Sequence, residues 1–233
     1  MVTLAVDTSG LTASCAVVQD GKVIAELSTK HGKTHSQKIL PMIKTTLSMV
    51  NKEMKEVDLF AASIGPGSFT GLRIGVVTIK GLAYSLKRPV CGVPTLDALA
   101  YSMPDFNGVI SPMLDARNNQ VFTAFYHKMN GKLEKLSSDS GIPIKEWINK
   151  AMEFNKNIMI LGDAAEIHLA ELKEVFGAGI ICPQLAMTYP RASATALLAE
   201  EAYHNNKVTG AYELEPFYLR KSQAERLKGI QKK

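Results

Sequence analysis

Thr3-Leu4-Ala5-Val6-Asp7-Thr8-Ser9-Gly10 and, a hundred residues on, Val109-Ile110-Ser111-Pro112-Met113-Leu114-Asp115-Ala116-Arg117 share one pattern. Each is a β-rich run that ends in an aspartate at a turn. Outward from the first, Thr3 to Thr8, Ala13 to Gln19 and Val23 to Thr29 read as three antiparallel strands. Ser9-Gly10 and Asp20-Gly21 supply the turns between them. Thr34-His35-Ser36-Gln37 then has the form of a capping box, and Ile39, Ile43, Leu47 and Val50 recur at helical spacing. A strand at Leu59 to Ile64, a helix at Gly71 to Lys87, a strand at Val90 to Val93 and a short helix near Leu96 to Tyr101 complete the first half.

The second half repeats that order. Val109 to Asp115, Gln120 to Tyr126 and Lys132 to Ser137 read as strands, with Asn130-Gly131 at the second hairpin turn. Helices follow at Lys145 to Phe154, Ile167 to Phe176 and Ser193 to His204, with strands at Ile158 to Leu161 and Gly179 to Cys182. Pro104 and Asn107-Gly108 mark the break, which divides the chain into lobes 1–102 and 103–233. Two βββαβαβα lobes are the pattern of the actin/Hsp70/sugar-kinase fold, the α/β class expected here.

A chain of 233 residues, 46% hydrophobic, suffices for two cores. No apolar stretch reaches membrane length, and the amino terminus meets Asp7 before a signal-peptide core could form, so a cytoplasmic protein is expected. Cys15, Cys91 and Cys182 are odd in number and far apart, unlike a disulfide framework or a zinc site. A net charge of +5 favours anionic partners, but the bases are dispersed except in the tail Arg226 to Lys233. Charge alone leaves open a stand-alone RNA-binding protein and an ordinary soluble surface.

Ile64 to Arg73 runs from a strand into a helix through Gly65, Gly67 and Gly71, a turn whose amides suit an anion. It lacks the Lys-Ser/Thr ending of a P-loop. Asp7, Thr8 and Ser9 supply a carboxylate and two hydroxyls that suit hydrated magnesium and phosphate, or else satisfy turn amides. Candidate nucleotide or phosphate contacts are therefore Asp7, Thr8, Ser9, Gly65, Gly67, Ser68, Gly71 and Arg73. His31 and His35 have metal-ligand spacing, but a helix starting at His35 leaves His31 outside it, so no metal site is expected. No serine stands in a Gly-x-Ser-x-Gly elbow, and no acid/base pair stands out.

The helix from Gly71 to Lys87 is apolar nearly all round, so one side packs on its own sheet and the other needs a neighbouring helix or another chain. The preceding helix carries Met42 and Met49, which suit adaptable contacts.

These segments resemble the TsaB (YeaZ) family: Leu4 to Ser9, Thr34 to Pro41, Gly65-Pro66-Gly67-Ser68-Phe69-Thr70-Gly71-Leu72-Arg73-Ile74-Gly75, Pro89 to Val93 and Pro216 to Arg220. The resemblance implies a non-catalytic partner of the TsaD transferase, which moves threonylcarbamoyl to N6 of the tRNA adenosine beside the anticodon. It also implies TsaE in the same assembly, a homodimer, tRNA contact through the complex, and ATP or ADP at a subunit junction with no intrinsic cofactor. The implied interface lies on the first two helices, with Ile39, Met42, Ile43, Leu47, Leu72, Arg73, Gly75, Val76, Ile79 and Ala83 as candidates. Thr95 and Leu99 stand where the catalytic paralogue has metal-binding histidines. The competing reading is an enzyme of the same superfamily, an ATP-dependent kinase or a glycoprotease.

Overall fold

The computed structural model describes residues 1–30, 34–184 and 188–220. His31 and the basic tail fall outside them.

The first sheet is built from β1 (Val2–Asp7), β2 (Ala13–Gln19), β3 (Lys22–Thr29), β4 (Leu59–Gly65) and β5 (Val90–Pro94), in the order β3-β2-β1-β4-β5. The first three strands are antiparallel, and β1, β4 and β5 are parallel. Asp20 and Gly21 both take positive φ, which a two-residue hairpin turn of this hand requires. Two helices, α1 (His35–Met49) and α2 (Phe69–Leu86), cover one face through Ile39, Met42, Ile43, Leu47, Val76, Ile79 and Ala83, packed on Leu4, Val6, Val17 and Phe60.

The second half holds α3 (Thr95–Tyr101), β6 (Phe106–Asp115), β7 (Gln120–Thr123), β8 (Tyr126–Met129), β9 (Lys132–Lys135) and β10 (Ser140–Pro143). It continues through α4 (Ile144–Glu153), β11 (Ile158–Leu161), α5 (Asp163–Phe176), β12 (Ile180–Ile181) and α6 (Ala192–His204). Its sheet order, β10-β7-β6-β11-β12, repeats that of the first lobe. The expected second strand is broken in two, and the expected third keeps only β9, with β10 a further strand beyond it. After β7 the chain bends at Ala124 and Phe125, so β8 pairs the start of β6 and β7 pairs its end. Correspondingly β9 lies beside β8, and β10 beside β7. Asn130 and Gly131 take the same paired positive φ as Asp20 and Gly21.

Two helices cross over the lobe boundary expected at residue 102. Leu96, Leu99 and Ala100 of α3 pack on Ile110, Leu114 and Tyr126 of the second sheet. Ala192, Ala194, Ala196 and Ala199 of α6 pack on Ala5, Ala16, Leu59 and Ala61 of the first. Small side chains let α6 lie close to the strands, and buried Glu200 fixes it by accepting from Thr3 Oγ1 at 2.8 Å and from the Gly21 amide at 2.7 Å. The capping box is corrected. Thr34 makes no side-chain cap, and its hydroxyl lies 3.1 Å from that of Ser36.

Candidate functional site

A cleft of about 580 Å³ opens between the lobes. The first lobe lines it with Ser9, His35 and the turn Pro66 to Thr70, and the second with Asp115, Arg117, Phe122 and Asp163. Phe217 to Arg220 form a third wall.

Beneath its floor, Asp7 is fully buried at the end of β1. Its Oδ1 accepts from the Ser9 amide at 2.9 Å and from Ser9 Oγ at 2.7 Å, while Oδ2 accepts from Ser63 Oγ. Burial pushes its pKa up, opposed by those donors. The second lobe repeats the turn: Asp115 Oδ1 accepts from the Arg117 amide at 2.7 Å. There the aspartate stays at the cleft and pairs with the Arg117 guanidinium at 3.1 Å. Asp163, at the start of α5, accepts from the Asp115 amide at 2.9 Å, and its pKa is raised by burial.

The glycine turn serves the fold before it serves any ligand. Thr8 Oγ1 donates to the Gly71 carbonyl at 2.7 Å, and a β-carbon at Gly71 or Gly75 would overlap Thr8. The Ser68 amide donates to the Ser9 carbonyl at 2.6 Å, and Ser68 Oγ accepts from the Gly71 amide at 3.3 Å. Space and amides that a phosphate cradle needs are thus used by the β1–β2 turn. Ser9, Gly67 and Ser68 reach the cleft. Asp7, Thr8 and Gly71 are buried under it, and Gly65 is covered by the Phe217 carbonyl.

Arg73 points elsewhere as well. Its guanidinium stacks 4.0 Å above the Phe69 ring and donates through Nε to Tyr218 Oη at 3.0 Å. The expected interface residues Ile39, Met42, Ile43, Leu47, Leu72, Gly75, Val76, Ile79 and Ala83 are all buried within the first lobe. Their apolar stripe faces the sheet. The outer faces of α1 and α2 instead present Leu40, Val77 and Tyr84, which are 54%, 66% and 57% exposed.

His35 Nε2 donates to the Gly10 carbonyl at 2.9 Å. Among the described residues no group of three His, Cys, Asp or Glu side chains comes together around a common point. Thr95 and Leu99 are fully buried, Leu99 against the second sheet. Cys15 and Cys91 are buried thiols pushed up by burial to about 12 and about 11, respectively. No helix among the described residues is long and apolar enough to cross a membrane.

A family model described as TsaD, tRNA N6-adenosine threonylcarbamoyltransferase, matches residues 22–228. A protein of Bacillus subtilis strain 168, the tRNA threonylcarbamoyladenosine biosynthesis protein TsaB, is 34% identical over 225 residues, 97% of this chain and 96% of its own. The chain belongs to the TsaB family. YeaZ from Pseudomonas aeruginosa shares its fold, with a TM-score of 0.77 at 24% identity over 94% of this chain and 99% of that one. Component A of (R)-2-hydroxyglutaryl-CoA dehydratase from Acidaminococcus fermentans also shares the fold, at TM-score 0.51 and 13% identity over 88% and 99%. The twice-repeated strand order places this TsaB-family chain in the actin/Hsp70/sugar-kinase class.

Proposed function

We propose that the chain acts in the cytoplasm as a non-catalytic subunit of the tRNA threonylcarbamoyladenosine machinery. It docks a TsaD-type transferase through the outer faces of α1 and α2, and a TsaE-type ATPase and tRNA join through the complex. The observation that carries this reading is the exposure of Val77 and Tyr84 on α2 and of Leu40 on α1, while Val76 beside Val77 is packed in the lobe's own core. A second copy of the chain fits the same face, so homodimer and transferase compete for it.

Two features support the absence of chemistry in this chain. Thr95 and Leu99 are core residues of types that do not hold a catalytic metal. The turn around Gly67 and Gly71 is occupied by Thr8 and Ser9, so a nucleotide at a subunit junction would rest on the cleft-facing Ser9, Gly67 and Ser68 and on groups from the partner.

The test is a threonylcarbamoyl-transfer assay on tRNA with the transferase alone, with this chain alone and with both, alongside direct binding of the two proteins. Transfer that needs both proteins, and a stable complex between them, is the expected result. Turnover by the isolated chain, as an ATP-dependent kinase or a protease would show, or no complex at all, would overturn it.

A further inference from the structure

The segment after α6 stays on the first lobe and then leaves it. Leu214 lies in the first-lobe core, its carbonyl accepting from Lys80 Nζ at 3.2 Å, and the Phe217 amide donates to the Ile64 carbonyl at 2.8 Å. Tyr218 stacks on Phe69 with ring centroids 4.6 Å apart and accepts from Arg73. Two residues further on, the Arg220 guanidinium belongs to the other lobe. It donates to the carbonyls of Ala116 at 3.1 Å and Gly141 at 3.3 Å, and lies 5.6 Å from the Phe122 ring centroid.

We infer that Pro216 to Arg220 is a latch that holds the two lobes at one separation across the cleft. Three Cα–Cα steps from Phe217 to Arg220 reach roughly 11 Å at most, so the cleft cannot widen far without breaking one anchor. The planar guanidinium suits the second anchor because its fork satisfies two carbonyls at once. At the other end, the Arg73 guanidinium over Phe69 fixes Tyr218 from one side and the ring stack from the other. The lobes also meet where α3 and α6 cross over, and through Lys30 Nζ donating to Tyr189 Oη at 2.6 Å, itself 3.1 Å from Glu166 Oε1. That tie is exposed and solvent-screened, whereas the Arg220 fork is half-buried. A site that admits and releases a substrate needs lobes that move; a latched cleft keeps a fixed shape. The latch stands independently of which partner the chain docks.

The experiment measures the interlobe distance in the full chain by electron double resonance between nitroxides at Thr45→Cys on α1 and Asn149→Cys on α4. Half-buried Cys182 is replaced by serine, the buried native thiols Cys15 and Cys91 are left in place, and labelled protein is diluted with unlabelled protein. The parent should give one narrow distribution. Arg220→Ala and Tyr218→Ala should each widen it by about twofold or more as open members of the ensemble become populated, while melting stays cooperative. Lys30→Ala should leave the width unchanged. Unchanged widths in Arg220→Ala and Tyr218→Ala, or equal widening in Lys30→Ala, would overturn the latch. So would loss of cooperative melting in both latch variants, which would make these residues core rather than latch.

Discussion

The hydroxyl of Thr8 donates to the carbonyl oxygen of Gly71 at 2.7 Å, joining the turn after β1 to the first turn of α2. The bond exists because α2 approaches that turn with no side chain in between. At Gly71 an added β-carbon would strike the rigid Thr8 carbonyl, whereas at Gly81, on the exposed side of the same helix, it would meet nothing within 4 Å. Gly71→Ala should therefore cost about 1–3 kcal/mol through forced displacement of the backbone. Gly81→Ala should stabilise by about 0.5–1 kcal/mol, since alanine loses less entropy in a helix. Denaturant unfolding of the two variants checks the contrast. Equal effects would mean that the turn and the helix do not touch as described.

Asp7 gives stability a pH dependence of definite sign. Its pKa is raised in the folded protein, chiefly by burial, from an ordinary value of 3.8. Folding therefore takes up a proton between that value and the raised one. The group's contribution is full below the ordinary value and is lost as pH rises through the folded pKa. Asp7→Asn keeps an acceptor for Ser9 and removes the titration, so its stability relative to the parent should rise as pH climbs from the carboxylate range to neutrality. Unfolding curves at several pH values measure that difference. A difference that shrinks with pH would show the carboxylate held ionised by Ser9 and Ser63.

How far the sequence reveals these arrangements depends on how local they are. Strand and helix order follows from hydrophobic period, and both hairpin turns from Asp20-Gly21 and Asn130-Gly131, because each is decided within a few residues. The crossing of α3 and α6 is not local: the alanines of α6 pack closely against any sheet and do not specify which one. The break at Ala124 and Phe125 leaves no local mark in the sequence because neither residue is a turn former. The buried side of α2 is carried by Leu72, Val76, Ile79 and Ala83, and the sequence leaves it ambiguous since Ile74 and Val77 extend the apolar surface right round. Pro216 to Arg220 was legible as a motif, but its action depends on Phe69, Arg73, Ala116 and Gly141, all distant in sequence.

Arg73, a cation near a helix amino terminus, is unfavourable to the helix dipole, which points to a compensating partner. The structure supplies one inside the chain, in Phe69 and Tyr218. Arg73→Lys keeps the charge but not the planar stack or the Nε donor. It should leave the global melt nearly unchanged and speed exchange of the Phe217 amide about fivefold, an opening cheaper by about 1 kcal/mol. Amide hydrogen exchange reads this directly. A Phe217 amide as protected in Arg73→Lys as in the parent would remove Arg73 from the latch's support.

Neighbouring valines on α2 separate folding from docking. Val76 is 2% exposed and lies in the first-lobe core; Val77, about 100° further round the helix, is 66% exposed. A glutamate at 76 would bury a charge in the first-lobe core, a loss of about 3–5 kcal/mol that should unfold the lobe. At 77 the same charge stays hydrated in the free chain and costs little until a partner desolvates it. Val77→Glu should therefore melt like the parent yet bind the TsaD-type transferase at least about tenfold more weakly, roughly 1.4 kcal/mol. Thermal unfolding of dilute protein and titration calorimetry with the transferase measure the two effects separately. Normal binding by a folded Val77→Glu would move the docking surface off α2, whereas unfolding by Val77→Glu would mean that both sides of the helix belong to the lobe's own core.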